Sequence, residues 1–233
     1  MQTLILYTQE LNPFTEKVAC ALAVKGVAYQ RVGVSDSDEI KRLSPEKQTL
    51  PVLECEGVRI AESGVILSWI EDKFPEPSLF AADPKIRKQQ EGLADWSDSN
   101  FAFYWNRYRT AAEEHERAES RATPGLLSRI HQHVEEHLGI EPEASIENNA
   151  TVRQIMEELA HRMDDLVGFL GSRSYFFSDK LSAADIAVFG MLLVMRGGPM
   201  PGSAELLEAR PTLAEHTARL TKLTRKGEGI GQG

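Results

Sequence analysis

Only two cysteines, Cys20 and Cys55, occur among 233 residues. They lie far apart and without C-x-x-C spacing, which excludes a disulfide framework and a thiolate metal site. Two free thiols in a reducing compartment are the expectation. Long apolar runs are missing as well. Met1 to Tyr7 has neither a basic start nor an extended apolar stretch, so neither a signal peptide nor a membrane anchor is expected there. Basic charge is scarce, with 26 Lys and Arg against 35 Asp and Glu, and the net charge of −9 repels nucleic-acid phosphates and anionic lipid surfaces. Nucleic acid and membrane are therefore not expected partners, and the cytoplasm is the expected location. No repeat of fixed period is present.

What is there describes an ordinary folded chain. Apolar residues make up 42% and charged residues 26% of the sequence, outside the disordered range. A chain of this length buries roughly 70% of the surface its unfolded form exposes. Its core needs no disulfide or metal.

The hydrophobic period changes along the chain. Leu4 to Tyr7 reads as a strand, and Phe14, Val18, Ala21 and Leu22 follow at helical spacing after Asn12-Pro13. Val27 to Val34 is a second strand, and Asp36 to Leu43 a short helix stopped by Ser44-Pro45. Leu50 to Glu54 and Val58 to Ala61 flank Glu56-Gly57 as a hairpin, and Glu62 to Phe74 is a helix closed by Pro75 and Pro77. The order is β-α-β-α-β-β-α. Beyond the proline-punctuated stretch 74–84 every strong signal is helical, notably Thr151 to Leu170, Leu181 to Met195, and one or two helices around Pro211. The expectation is an α/β domain over residues 1–78 and an all-α domain over residues 85–233.

Four local motifs occur in order: Asn12-Pro13-Phe14, Leu50-Pro51-Val52-Leu53, Glu62-Ser63 and Leu181-Ser182-Ala-Ala-Asp185. On these, and on Ala82-Asp83-Pro84 with Arg87, the chain resembles the cytosolic glutathione transferases. The N-terminal motifs are similar to those of the tau and omega classes. The resemblance implies a thioredoxin-like N-terminal domain that binds glutathione and an all-helical C-terminal domain that binds the second substrate. It implies a cytoplasmic homodimer that uses glutathione as co-substrate and needs no metal.

Carried over position by position, the resemblance gives Ser63 the γ-glutamyl carboxylate of glutathione, and Glu62 its amino end. A serine at a helix start suits an anion, because unpaired N–H groups and about half a positive charge converge there. The same serine can simply cap the helix. A cis Leu50-Pro51 bond would let the Leu50 backbone pair with the cysteinyl unit as an added strand; a trans proline would merely start an edge strand. Thr49 stands where the tau-like pattern often carries lysine.

Asn12 occupies the position at which the family keeps a serine or a cysteine. Asparagine forms no mixed disulfide, which argues against thiol-exchange chemistry. Its amide can still donate to a sulfur anion, and it is also a leading N-cap residue before proline. Both roles stay open. Tyr7 is the alternative activator, against the reading of a packed ring, and Thr8 and Thr15 offer hydroxyls nearby.

Trp96, Asn100, Phe103, Tyr104, Arg107 and Tyr108 recur at three- or four-residue steps, as an electrophile pocket or as core between helices. His133-Val-Glu-Glu-His137, with His131, fits an H-x-x-E-H pattern but reads as a solvated helix face rather than a metal site. Ser182 to Asp185 is a capping-box variant, read as structural. The expected function is a glutathione transferase attacking a hydrophobic electrophile. Ether cleavage, dehalogenation or isomerisation would use the same thiolate, and a non-catalytic binding or adaptor protein of this family is the alternative.

Overall fold

The computed structural model describes residues 4–10, 12–121, 146 and 149–228. His131, His133 and His137 lie outside the described residues.

The N-terminal elements are β1 (Leu4–Thr8), α1 (Pro13–Val24), β2 (Tyr29–Gly33), α2 (Ser37–Leu43), β3 (Val52–Cys55), β4 (Val58–Ala61) and α3 (Ser63–Lys73). The four strands form one sheet in the order β2-β1-β3-β4, with β1 parallel to β2 and antiparallel to β3. Both Glu56 and Gly57 have positive φ, the signature of the tight turn that joins twisted antiparallel strands. Strand alternation then assigns the faces. Leu4, Leu6, Leu53 and Cys55 pack with residues of α1 and α3, while Val32, Val52 and Tyr7 pack with Ile40 and Leu43 of α2. This is the thioredoxin-like arrangement that the motifs implied.

The remaining elements are helical: α4 (Pro84–Arg121), α5 (Ala150–Leu170), α6 (Ala183–Arg196), α7 (Ser203–Glu208) and α8 (Pro211–Glu228). Two of the starts have a side-chain cap. Asp83 Oδ1 accepts from the N–H groups of Lys85 and Ile86, and Asn149 Oδ1 from those of Thr151 and Val152. Gly171, with positive φ, ends α5.

Helix α6 joins the two parts. Its buried residues serve both cores: Ala183, Ile186 and Phe189 pack with α1 and the sheet, Val188, Met191 and Leu192 with α4 and α5. The Ser182 and Asp185 capping box starts it, and the fully buried Asp185 carboxylate also accepts from the Phe176 N–H and meets His216 Nε2 at 3.0 Å. Gly190 lies directly against the first turn of α1. Two ion pairs complete the framework, Lys17 Nζ to Asp98 Oδ2 at 2.5 Å and Lys25 Nζ to Glu71 Oε2 at 2.6 Å.

Candidate functional site

Asn12 has extended backbone angles, so it stands outside α1 with its side chain turned back over the helix start. Its Oδ1 accepts from the N–H groups of Phe14 and Thr15 at 2.9 and 3.1 Å. Its Nδ2 donates to the carbonyl oxygen of Leu50 at 3.3 Å. An amide nitrogen carries two donors, so one N–H remains beyond the bond to Leu50. Capping and donation to a ligand are compatible at this residue.

The Leu50-Pro51 peptide bond is cis. The Leu50 side chain is buried against Val34, Leu43 and Val52, which leaves the backbone as the part of this residue that faces Asn12. Thr49 is exposed.

Helix α3 begins without a side-chain cap. Its N-cap residue is Glu62, with φ of 69°, a backbone region that costs a non-glycine residue on the order of 1 kcal/mol or more. The Glu62 carboxylate instead pairs with Lys47 Nζ at 2.5 Å. Ser63 is therefore the first helical residue and not the cap. The N–H groups of Ser63, Gly64 and Val65 precede the first intrahelical bond, from Ile66 N–H to Glu62 O, and gather partial positive charge. Beside Glu62 lies an open cavity of about 680 Å³ whose lining includes Arg42, Lys47 and Arg59. The bond to Glu62 raises the Lys47 pKa and holds it as the ammonium ion.

Sequence reasoning passed over these cations, which share the cavity with Glu46 and Glu62, Arg59 being paired with Glu54. It looked for a positive charge at Thr49, whereas Lys47 supplies one. The available signal was three basic residues within 42–59 of an acidic chain, next to the Glu62-Ser63 motif.

Tyr7 stands in β1. It projects to the α2 side of the sheet, and its hydroxyl donates to Glu54 Oε2 at 3.3 Å. Burial and the Glu54 charge both push its pKa up, which disfavours a phenolate. Among the described residues no hydrogen bond joins Tyr7 to Asn12, although Tyr7 packs with the Leu50 cluster that Asn12 reaches; Tyr7 stays the alternative activator. Thr8 Oγ1 donates to Val32 O, and the Thr15 hydroxyl is buried with no hydrogen-bond partner among the described residues.

The five α4 residues expected at an electrophile pocket are turned from the Asp98 side of the helix, Tyr104 into the core and Phe103 with Arg107 to one cavity. Asp98 marks the side of α4 turned to α1, through Lys17. At about 100° per residue, Phe103 is about 140° and Arg107 about 180° around the helix from it, and Trp96, Asn100 and Tyr104 are all roughly 120° or more away. Tyr104, only 3% exposed, is helical-domain core. Trp96 packs against that core, and Asn100 Nδ2 donates to Trp96 O. Arg107 pairs with Glu158, and Phe103 lines a separate cavity with it.

Among the described residues no cluster of three or more His, Cys, Asp or Glu side chains is arranged to hold a metal ion, and no helix is long and apolar enough to cross a membrane.

Residues 6–78 match the N-terminal domain of glutathione S-transferase, and residues 159–220 match its C-terminal domain. A probable glutathione S-transferase of Solanum tuberosum is 32% identical over 114 residues, 48% of this chain and 52% of its own. The maleylacetoacetate isomerase of Rattus norvegicus is 34% identical over 99 residues, 39% of this chain and 45% of its own. The matched region thus spans about half the length of these curated relatives. Rice GST1, solved in complex with glutathione, superimposes with a TM-score of 0.65 over 99% of this chain and 93% of its own; at 21% identity that likeness concerns the fold.

Proposed function

Since the chain belongs to the glutathione S-transferase family, we propose that it binds glutathione and activates it as a thiolate for attack on a hydrophobic electrophile. The observation that carries this reading is the Asn12 Nδ2 to Leu50 O bond, which joins two of the family's motifs across 38 residues of sequence beside the uncapped start of α3. Ser63 and the first-turn N–H groups of α3 take the γ-glutamyl carboxylate. Glu62, held by Lys47, takes the amino end, and Thr49, Leu50 and Pro51 offer backbone to the cysteinyl unit. The second amide hydrogen of Asn12 and the α1 N-terminus stabilise the sulfur anion, lowering a thiol pKa from roughly 8.5. Rate then comes from thiolate fraction and from holding the two reactants together.

Residues 1–78 bind glutathione in this proposal, and residues 85–233 select its partner. A cytoplasmic homodimer is part of the same reading, and a monomer in sedimentation would count against it. Ether cleavage, dehalogenation and isomerisation share the thiolate; relatives named for transferase and isomerase activity weigh against a non-catalytic adaptor. The test is retention on immobilised glutathione followed by turnover of a panel of electrophiles. Retention with turnover supports the enzyme, retention without turnover returns the adaptor, and no binding at millimolar glutathione ends the enzyme reading.

A further inference from the structure

Two cavities, of about 230 and 430 Å³, adjoin where α6 and α8 end near α1 and β2. They share Arg196, Thr221 and Arg225. The smaller adds Arg31 and Glu16, and the larger adds Lys222 and Lys226. Arg31 is ion-paired with Glu16. Arg196, Lys222, Arg225 and Lys226 are exposed and form no ion pair with a described residue. Five cations against one carboxylate leave a local charge of +4 on a chain whose net charge is −9.

Two bland causes fall short of that charge. Cations in a last turn complement the helix dipole, but the ends of α6 and α8 offer only about half a negative charge each, roughly one against four. Support between neighbours on the helix fails too. Lys222, Arg225 and Lys226 are at i, i+3 and i+4, where like charges stand about 5–6 Å apart at Cβ and repel. A multiply charged anion removes that repulsion. Guanidinium groups suit phosphate, which they can hold through two parallel N–H bonds. Because both lobes use Arg196 and Arg225, an anion in each lobe shares the same two side chains, and adjacent phosphates fit this better than two separate ions.

We propose that this double cavity binds a compound bearing a diphosphate, at a site distinct from the one that takes glutathione. Free diphosphates and phosphorylated lipid headgroups share the chemistry, and the test separates them. Titration calorimetry of the full chain with inorganic pyrophosphate should give saturable one-site binding that weakens as salt rises. Arg196→Gln combined with Arg225→Gln should weaken it at least tenfold, while Lys41→Gln on α2 leaves it unchanged. An unchanged thermal midpoint verifies that the double variant folds. Phosphoinositide vesicles that displace pyrophosphate would name the lipid as the source and support the site. Absence of saturable pyrophosphate binding overturns the proposal, as does orthophosphate binding equally well, an unaffected double variant, or vesicle binding without pyrophosphate binding.

Discussion

A Cβ on Gly190 would lie 2.3 Å from the carbonyl oxygen of Pro13, and 3.3 Å from the backbone nitrogen of Lys17. The atoms it would meet are backbone, so they cannot swing aside. Helix α6 therefore approaches the start of α1 closer than any residue but glycine permits, and this contact sets where Asn12 stands.

Gly190→Ala should push α1 away from α6. Overpacking costs about 1–3 kcal/mol, which outweighs the helix-propensity gain of up to about 1 kcal/mol. The thermal midpoint should fall by several degrees and glutathione affinity should drop with it, since Asn12 moves with the helix. Gly92→Ala is the control, because its Cβ meets nothing within 4 Å; it should be neutral or stabilising. A Gly190→Ala protein as stable as the parent would show that the contact does not fix α1.

Asn12 can be divided into its two roles by charge. Asn12→Asp keeps an oxygen for the Phe14 and Thr15 N–H groups, so helix stability should change little. It removes the donor to Leu50 O and sets a carboxylate near the developing sulfur anion. Turnover should fall at least tenfold, and the pKa of bound glutathione should rise. Asn12→Ala loses cap and donor together, for about 1 kcal/mol of stability as well. If Asn12→Asp turns over like the parent, the asparagine is a cap alone. Thiolate absorbance across a pH series reads the difference.

The motifs that were legible in the sequence are those whose physics is local. Asn12-Pro13 specifies a helix start, Glu56-Gly57 a tight turn and Ser182 to Asp185 a capping box within a few residues each. What escaped depends on which faces meet. Alternation places Tyr7 opposite Leu6, but only the assembled sheet reveals that α1 covers the Leu6 side. In α4, steps of three and four grouped Phe103 with Tyr104, although neighbours on a helix diverge by about 100°. One is 54% exposed and the other is core. The Lys47–Glu62 and Lys17–Asp98 pairs join residues 15 and 81 positions apart, which no local pattern encodes.

Ser63→Ala tests the anion site apart from the fold. The N-cap position belongs to Glu62, and α3 has no side-chain cap to lose. Ser63 is buried, but its hydroxyl forms no hydrogen bond with a described residue, so stability should change by less than about 1 kcal/mol. The KM for glutathione should rise roughly tenfold, with kcat changed much less, because the carboxylate contact serves binding more than chemistry. A stability loss without a KM change would make Ser63 a structural residue.

Cys20 should be inert. Burial pushes its thiol pKa up to about 12, so only about one molecule in ten thousand carries the thiolate at pH 8. Cys55 is buried as well. Neither thiol should react with an aromatic disulfide reagent in the native protein, and both should react once urea unfolds it. The sign follows from the shift: a raised pKa keeps the folded thiol neutral, and stability falls as pH rises past the unfolded thiol's value of roughly 8.5, where the unfolded chain ionises first. Rapid native labelling of Cys20 would overturn this and expose an opening of α1 from α8.

Asp185 should carry the largest stability effect of any single side chain at the junction. It is 0% exposed, and it accepts from Phe176 N–H, Ser182 N–H and the Ser182 hydroxyl at 2.8–2.9 Å while meeting His216 Nε2. Asp185→Ala strands those donors without water and should cost about 3–5 kcal/mol, a large part of a typical total of roughly 5–15 kcal/mol. Asp185→Asn keeps the shape but turns an N–H toward a donor, and should lie between alanine and the parent. His216→Phe removes only one partner, and by the same argument should cost less than Asp185→Ala. Urea midpoints order the three variants. A His216→Phe loss equal to that of Asp185→Ala would move the weight from the capping box to the Asp185–His216 pair.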